Sequence, residues 1–227
     1  MKRFWTTLFI LFLAVPVLLG APRKKKQPCV DTLQACPEKG CGGDAALNPL
    51  KNRTDDAGDA EDWTLSQIIN LNEETPDTWK QSDPRDPLEE LGEGTLVVVK
   101  GYLIHGDVTK TPESCNCYLP GEQNNDFHLN LVARKSDELS ASVVAEITPR
   151  LRRSGWTKAK VRAIAESEKY VRVTGWLLFD SMHASNFSPS SRATVWEVHP
   201  VTKFDVCTKT KKECDAGQGW QRLENYQ

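Results

Sequence analysis

The chain has 227 residues, of which 39% are hydrophobic and 26% charged, and a formal net charge of −2. That length admits one domain of ordinary size with appendages, or two small ones, and the composition is that of a soluble globular protein with some disordered sequence rather than a fully disordered chain. The small net charge hides an uneven spread. Residues 31–93 hold 16 acidic and 5 basic residues, a balance of −11, whereas residues 94–206 hold 12 acidic and 14 basic, a balance of +2. An acidic arm stands in front of a mildly basic domain.

The N-terminus has the parts of a secretory signal over residues 1–21: Lys2 and Arg3, an apolar run from Phe4 to Leu19, then Gly20 and Ala21. The run is short against the ~20 residues of a full membrane span. Positive charge at Arg23, Lys24, Lys25 and Lys26 resists translocation. Two fates follow: cleavage and export, the reading adopted here, or retention as a tilted N-terminal anchor. After signal removal no membrane span is expected. Export gives the seven cysteines meaning, because an oxidising compartment lets them pair. Cys207 and Cys214, with six residues between them, can close a small loop. Cys36 and Cys41, near Cys29, and the Cys115/Cys117 pair of ESCNC are the other disulfide candidates, with connectivity left open and one thiol left over.

Residues 22–61 have no sustained apolar period and read as a mostly disordered, Cys-containing acidic arm. Asn52-Arg53-Thr54 matches a glycosylation sequon, relevant only in a eukaryotic secretory host. Residues 62–93 read as a helix followed by a Pro-rich linker. In EDWTLSQIINL, Trp63, Leu65, Ile68, Ile69 and Leu71 supply an apolar face to lay against the following domain. Pro76, Pro84 and Pro87 then keep the chain extended.

The domain spans residues 94–206. Residues 95–104 (TLVVVKGYLI) are β-branched and aromatic, with Gly101 where a strand can bend. After a polar loop, residues 126–133 and 141–147 read as the second and third strands. Residues 157–167 read as a helix with Thr157 as N-cap and Val161, Ile164 and Ala165 on one face. Residues 170–179 and 193–198 are the fourth and fifth strands, with 201–207 an extension of the last. A tail over residues 207–227 follows.

Three strands, one helix and two strands is the element order of the OB-fold, and residues 94–206 resemble that family over about half of the chain. The resemblance implies a mainly β fold: a five-stranded Greek-key barrel with the helix between strands three and four, carrying the N-terminal arm outside it. The ESCNC, DFHL and WEVHP stretches are also similar to those of uncharacterised exported bacterial proteins, a group that carries no activity over.

The resemblance further implies a ligand rim formed by the loop between strands one and two (residues 105–125) and the loop between four and five (residues 180–192). It would gather ESCNC, Asp126, His128, Asp180, His183 and Arg192 at one mouth. Asp126 and His128 are two apart on a strand and point to one face. With His183 they make a carboxylate-imidazole set suited to zinc or another divalent metal, which could activate a water for hydrolysis. His199, read as closing the fifth strand, is expected towards the opposite rim. Histidines scattered this way are more often making ordinary hydrogen bonds. Nucleic acid is the general partner of an OB groove, here through Tyr102, Phe127, Trp176 and Trp196 with Lys100, Arg134, Arg172 and Arg192. Residues 150–162 are basic too, but their cations scatter around the helix. No nucleophile elbow, phosphate-binding glycine loop or dinucleotide fingerprint is present. The sequence thus points to an exported binding module. Its alternatives are a metal-dependent hydrolase or nuclease built on Asp126, His128 and His183, and a structural protein with an envelope protein as partner.

Overall fold

LVVVKGYLIHGDV forms one strand of 13 residues, long enough to serve two neighbours, and the rest of the sheet closes around it. The computed structural model describes residues 26–55, 58–76, 79–109, 111–184 and 187–227; the expected leader lies outside them. A short strand, β1 (Glu61–Asp62), pairs parallel to the long strand, β2 (Leu96–Val108). β3 (Phe127–Val132) and β4 (Val143–Ile147) continue antiparallel, and β5 (Tyr170–Phe179) and β6 (Trp196–Cys207) complete the barrel. β2 pairs with β5 from Leu96 to Tyr102 and with β3 from Tyr102 to Val108, while β4 lies parallel to β6 and β6 antiparallel to β5. The order β2-β3-β4-β6-β5-β2 is closed, mainly β and compatible with an OB-like fold. Closure leaves no barrel edge unpaired.

Alternation fills the interior with Val97, Val99, Phe127, Leu129, Trp196 and Phe204, all at or near zero exposure. The helix between β4 and β5 starts where its cap requires: Thr157 accepts from the Lys160 amide, and Val161, Ile164 and Ala165 face the core. In EDWTLSQIINL the helix starts later than the pattern suggests, at Leu65, because Thr64 and Gln67 form a reciprocal capping box; the two acids before it are β1. Leu65, Ile68 and Leu71 join the core, with Trp63 and Ile69 packed at its margin. A Cβ at Gly101 would lie 2.9 Å from both Leu65 Cδ1 and the Val132 carbonyl oxygen. Glycine there lets this helix sit on the strand.

Two expectations are corrected. Residues 196–207 form a single strand rather than a short strand plus an extension. Residues 26–55, part of the stretch expected to be a mostly disordered arm, pack on the barrel: Leu47 is fully buried, and the helix Leu47–Asn52 rests against β6. This arm is tied down by the disulfides Cys29–Cys41 and Cys36–Cys117. Cys207–Cys214 closes the C-terminal loop, after which a strand at Trp220–Arg222 pairs with β6 and Leu223 enters the core. Cys115, a disulfide candidate by sequence, is a free, buried thiol. Its neighbour Cys117 takes the reach to Cys36, while the Cys115 thiol faces the Glu113 carboxylate at 3.4 Å. Among the described residues no helix is long and apolar enough to cross a membrane.

Candidate metal centre

The alternation that sends Phe127, Leu129, Ala145, Ile147, Trp196 and Val198 into the barrel turns their neighbours outward. Those neighbours are His128, Glu146, Glu197 and His199. Register brings them level: His128 is directly opposite Glu146, and the parallel β4–β6 pairing of Val144 with Glu197 places His199 beside Glu146. Three adjacent strands therefore present His128, Glu146 and His199 side by side on the outside of the barrel.

That outer face is nevertheless buried. His199, Glu146 and Glu197 have zero exposure and Asp126 only 1%. The roof is made by the N-terminal arm and the loop carrying ESCNC, which are stitched together. Asn52 donates to the Cys115 carbonyl at 2.8 Å, the Cys41 amide to the Ser114 carbonyl at 2.9 Å, and Arg150 to the Cys36 carbonyl at 2.9 Å. Polar side chains on an exposed strand face became interior once the arm folded over them.

The ligand-type atoms then converge. His128 Nε2 is 2.9 Å from Glu146 Oε1 and 3.9 Å from Glu113 Oε1. His199 Nδ1 is 3.0 Å from Glu146 Oε2 and 3.2 Å from Glu197 Oε1, and its Nε2 is 3.7 Å from Asp126 Oδ2. Although close, most of these atoms are not aligned as hydrogen bonds. Asp126 Oδ2, both Glu146 oxygens, His128 Nε2 and His199 Nε2 are buried without a hydrogen-bond partner. Unsatisfied buried polar atoms are costly and uncommon, so five in one place require an explanation. Around them stand well-paired groups. Asn116 donates to Asp126 Oδ1 at 3.0 Å, Glu197 accepts from His199 Nδ1 and from Arg192 at 3.1 Å, and Lys51 reaches Asp180 at 3.0 Å and Glu113 at 3.7 Å.

The carboxylates of Glu113, Asp126, Glu146, Asp180 and Glu197 face the fixed charges of Lys51 and Arg192, and Arg150 and Arg152 act on Asp126 as well: five negative against four positive leaves −1 when the imidazoles are neutral. Burial disfavours charge on both strand histidines, yet the Glu146 carboxylate outweighs it and holds His128 at about 9 and His199 at about 10. Burial, reinforced by Glu113, lifts Asp126 to about 6. Burial alone would raise Glu146, but His128, His199 and Lys51 hold it well below the usual carboxylate range. Burial pushes the Cys115 thiol up, with Glu113 and Asp126 adding to it, so it is no reactive thiolate.

The sequence-predicted residues are placed as follows. Asp126 and His128 lie in the cluster, joined by Glu113, Glu146 and His199. His183 does not share a ligand group with them; its Nδ1 is 2.6 Å from Asp180, and the pair connects to the cluster through Lys51. Arg192 touches it through Glu197. His199 is a correction to the sequence reading, which put it at the far rim. Because β6 begins at Trp196 and runs on for 12 residues, His199 is near the start of that strand, beside Glu146. The cluster lies on the outer face of β3, β4 and β6, flanked by the two loops predicted to form the rim. Glu146 was missed because ASVVAEI reads as an ordinary strand. A single acid between Ala145 and Ile147, in a strand otherwise without charge, was the signal available. Of the cations proposed for a nucleic-acid groove, Arg172 pairs with Asp205 at 2.8 Å, Lys100 with Asp62 at 3.6 Å and Arg134 with Asp137 at 3.0 Å.

No family model and no curated protein matches this sequence. Among solved structures, the chain is similar to a candidate aspartyl-tRNA synthetase from Leishmania major Friedlin. The two share 12% identity with a TM-score of 0.33, over 70% of this chain and 23% of that one. The chain spans about a quarter of that length, and a likeness of this size carries no argument about function.

Proposed function

We propose that this protein is an exported binding module whose ligand is a divalent first-row metal ion, held on the roofed outer face of the barrel. One observation carries the reading: five buried ligand atoms on Asp126, His128, Glu146 and His199 have no hydrogen-bond partner and lie close together. Two imidazole nitrogens with carboxylate oxygens suit zinc, manganese or iron. The supporting shell has the form such sites take. Glu197, itself fixed by Arg192, accepts from His199 Nδ1 and so leaves Nε2 with its lone pair towards Asp126. Export is supported by the leader composition and by three disulfides.

The test is calorimetric titration of chelator-treated, tag-free protein with zinc and manganese, followed by metal analysis after desalting. Binding at micromolar concentration or tighter, abolished in His199→Ala and in Glu146→Gln, is expected. Absence of binding to the folded wild-type protein overturns the reading. Hydrolysis is the second reading, favoured by the quarter-exposed His128 and the one-fifth-exposed Glu113, which give solvent an approach to the centre. A metal-dependent fall in anisotropy of a fluorescent oligonucleotide would support it. An unchanged signal with metal bound would leave a binding protein only.

A further inference from the structure

The ligand set does not converge on one point. Among the described residues the candidate ligands of this face fall into overlapping groups of three whose atoms lie within 4.8 Å of one another: Glu113, His128 and Glu146 in one, Asp126, Glu146 and His199 in another, with Glu113, Cys115 and Asp126 joining them on the loop side. Glu146 belongs to both. Its two oxygens are divided between them, Oε1 facing His128 Nε2 at 2.9 Å and Oε2 facing the His199 ring on its Nδ1 side at 3.0 Å. The strand order explains the division, since β4 lies between β3 and β6, so its central carboxylate has an imidazole on either side.

We propose that this face holds two divalent cations bridged by the Glu146 carboxylate, one completed by Glu113 and His128 and the other by Asp126 and His199. The proposal rests on the metal-binding reading above and adds its stoichiometry and ligand partition. Each oxygen of this buried carboxylate lies beside an imidazole nitrogen without an aligned hydrogen bond, and one ion would reach only the side facing one histidine. Two ions divide the five atoms by residue: Glu146 Oε1 with His128 on one, and Glu146 Oε2 with His199 and Asp126 on the other. Paired ions bridged this way in other proteins stand about 3.5–4 Å apart, close enough for a single carboxylate to span. The two places also differ in access. Glu113 and His128 retain 20% and 25% side-chain exposure, although His128 Nε2 itself is buried, whereas Asp126 and His199 have none. The first ion is therefore the exchangeable one and the second the enclosed one.

The experiment is stepwise manganese loading of the chelated full chain, read by metal analysis and by electron paramagnetic resonance. Two ions per chain with a spin-coupled signal at full loading are expected. Glu113→Gln, at a partly exposed position, is expected to remain folded by circular dichroism and to hold one ion with an isolated manganese signal. One ion per chain in the wild type, or two ions with uncoupled signals, overturns the bridged pair and leaves the metal-binding reading intact. No ions at all removes both. Glu113→Gln that still loads a coupled pair overturns the ligand partition.

Discussion

At His199 and His128 the same negative field has two consequences. It would favour the proposed metal ion, and in its absence it keeps protons on the imidazoles. Because the folded values, about 10 and about 9, lie above the ordinary 6.5, the stability these protons confer is fully present below pH 6.5. It is lost as pH rises through about 9 and then about 10. Chelated protein is expected to show urea midpoints that fall between pH 8 and 10, by more than in His128→Gln measured alongside. With metal bound the decline should flatten, since ligation requires the deprotonated ring. Equal slopes with and without metal would count against ligation by these histidines. Lys51 makes a separate prediction. Its ammonium is 4% exposed between Asp180, which has no exposure, and Glu113. Lys51→Met leaves Asp180 short of its cation and is expected to cost about 3–5 kcal/mol in denaturant titration, partly recovered by adding Asp180→Asn.

The N-terminal arm is an element whose sequence gives little warning of its role. It is held by a disulfide between residues 81 positions apart, Cys36–Cys117, and by Asn48 and Asn52 donating to backbone carbonyls of the arm itself and of the Cys115 turn. Cys117 belongs to the loop that carries Glu113, so arm and ligand loop are tethered together. Replacing both Cys36 and Cys117 with serine is expected to lower stability by about 2–4 kcal/mol. It should also weaken metal binding while the barrel's far-ultraviolet spectrum persists. Unchanged affinity would show that the roof is dispensable. Among the interior residues rather than the ligands, Ile68 is fully buried where its helix meets the barrel. Ile68→Ala should cost about 2–5 kcal/mol without touching metal affinity, which separates damage to the fold from damage to the site.

For the whole molecule, the proposed ligands come from β3, β4, β6 and a loop, which meet only in the closed barrel, so a bound metal would be linked to the fold. An ion that binds the folded chain alone stabilises it by about 2.7 kcal/mol at a hundred times its dissociation constant. Thermal unfolding is thus expected to move up with free metal concentration in the wild type and to stay fixed in Glu146→Gln. A shift of equal size in both would place the ion elsewhere. The same closed sheet explains why a strand exterior can host such a cluster. The hydrophobic residues point into the barrel, which leaves the outer face to carry the charge that the arm encloses.

What the amino-acid order determined by itself was local. β-Branched runs, the Thr157 cap and the apolar faces of two helices gave the five barrel strands, the helix between them and the order of an OB-like barrel, because each depends on neighbours a few residues away. Asp126 and His128 were legible as a same-face pair for the same reason. Glu146 and His199 were not. Their partnership depends on a parallel pairing between strands some fifty positions apart in sequence, and on where β6 begins. That an outward-facing strand surface is buried depends in turn on an arm with no apolar period of its own, held by Cys36–Cys117. Periodicity reports which face a side chain takes. Only the tertiary structure decides what comes to lie over that face, and with it whether a carboxylate between two histidines meets water or a metal ion.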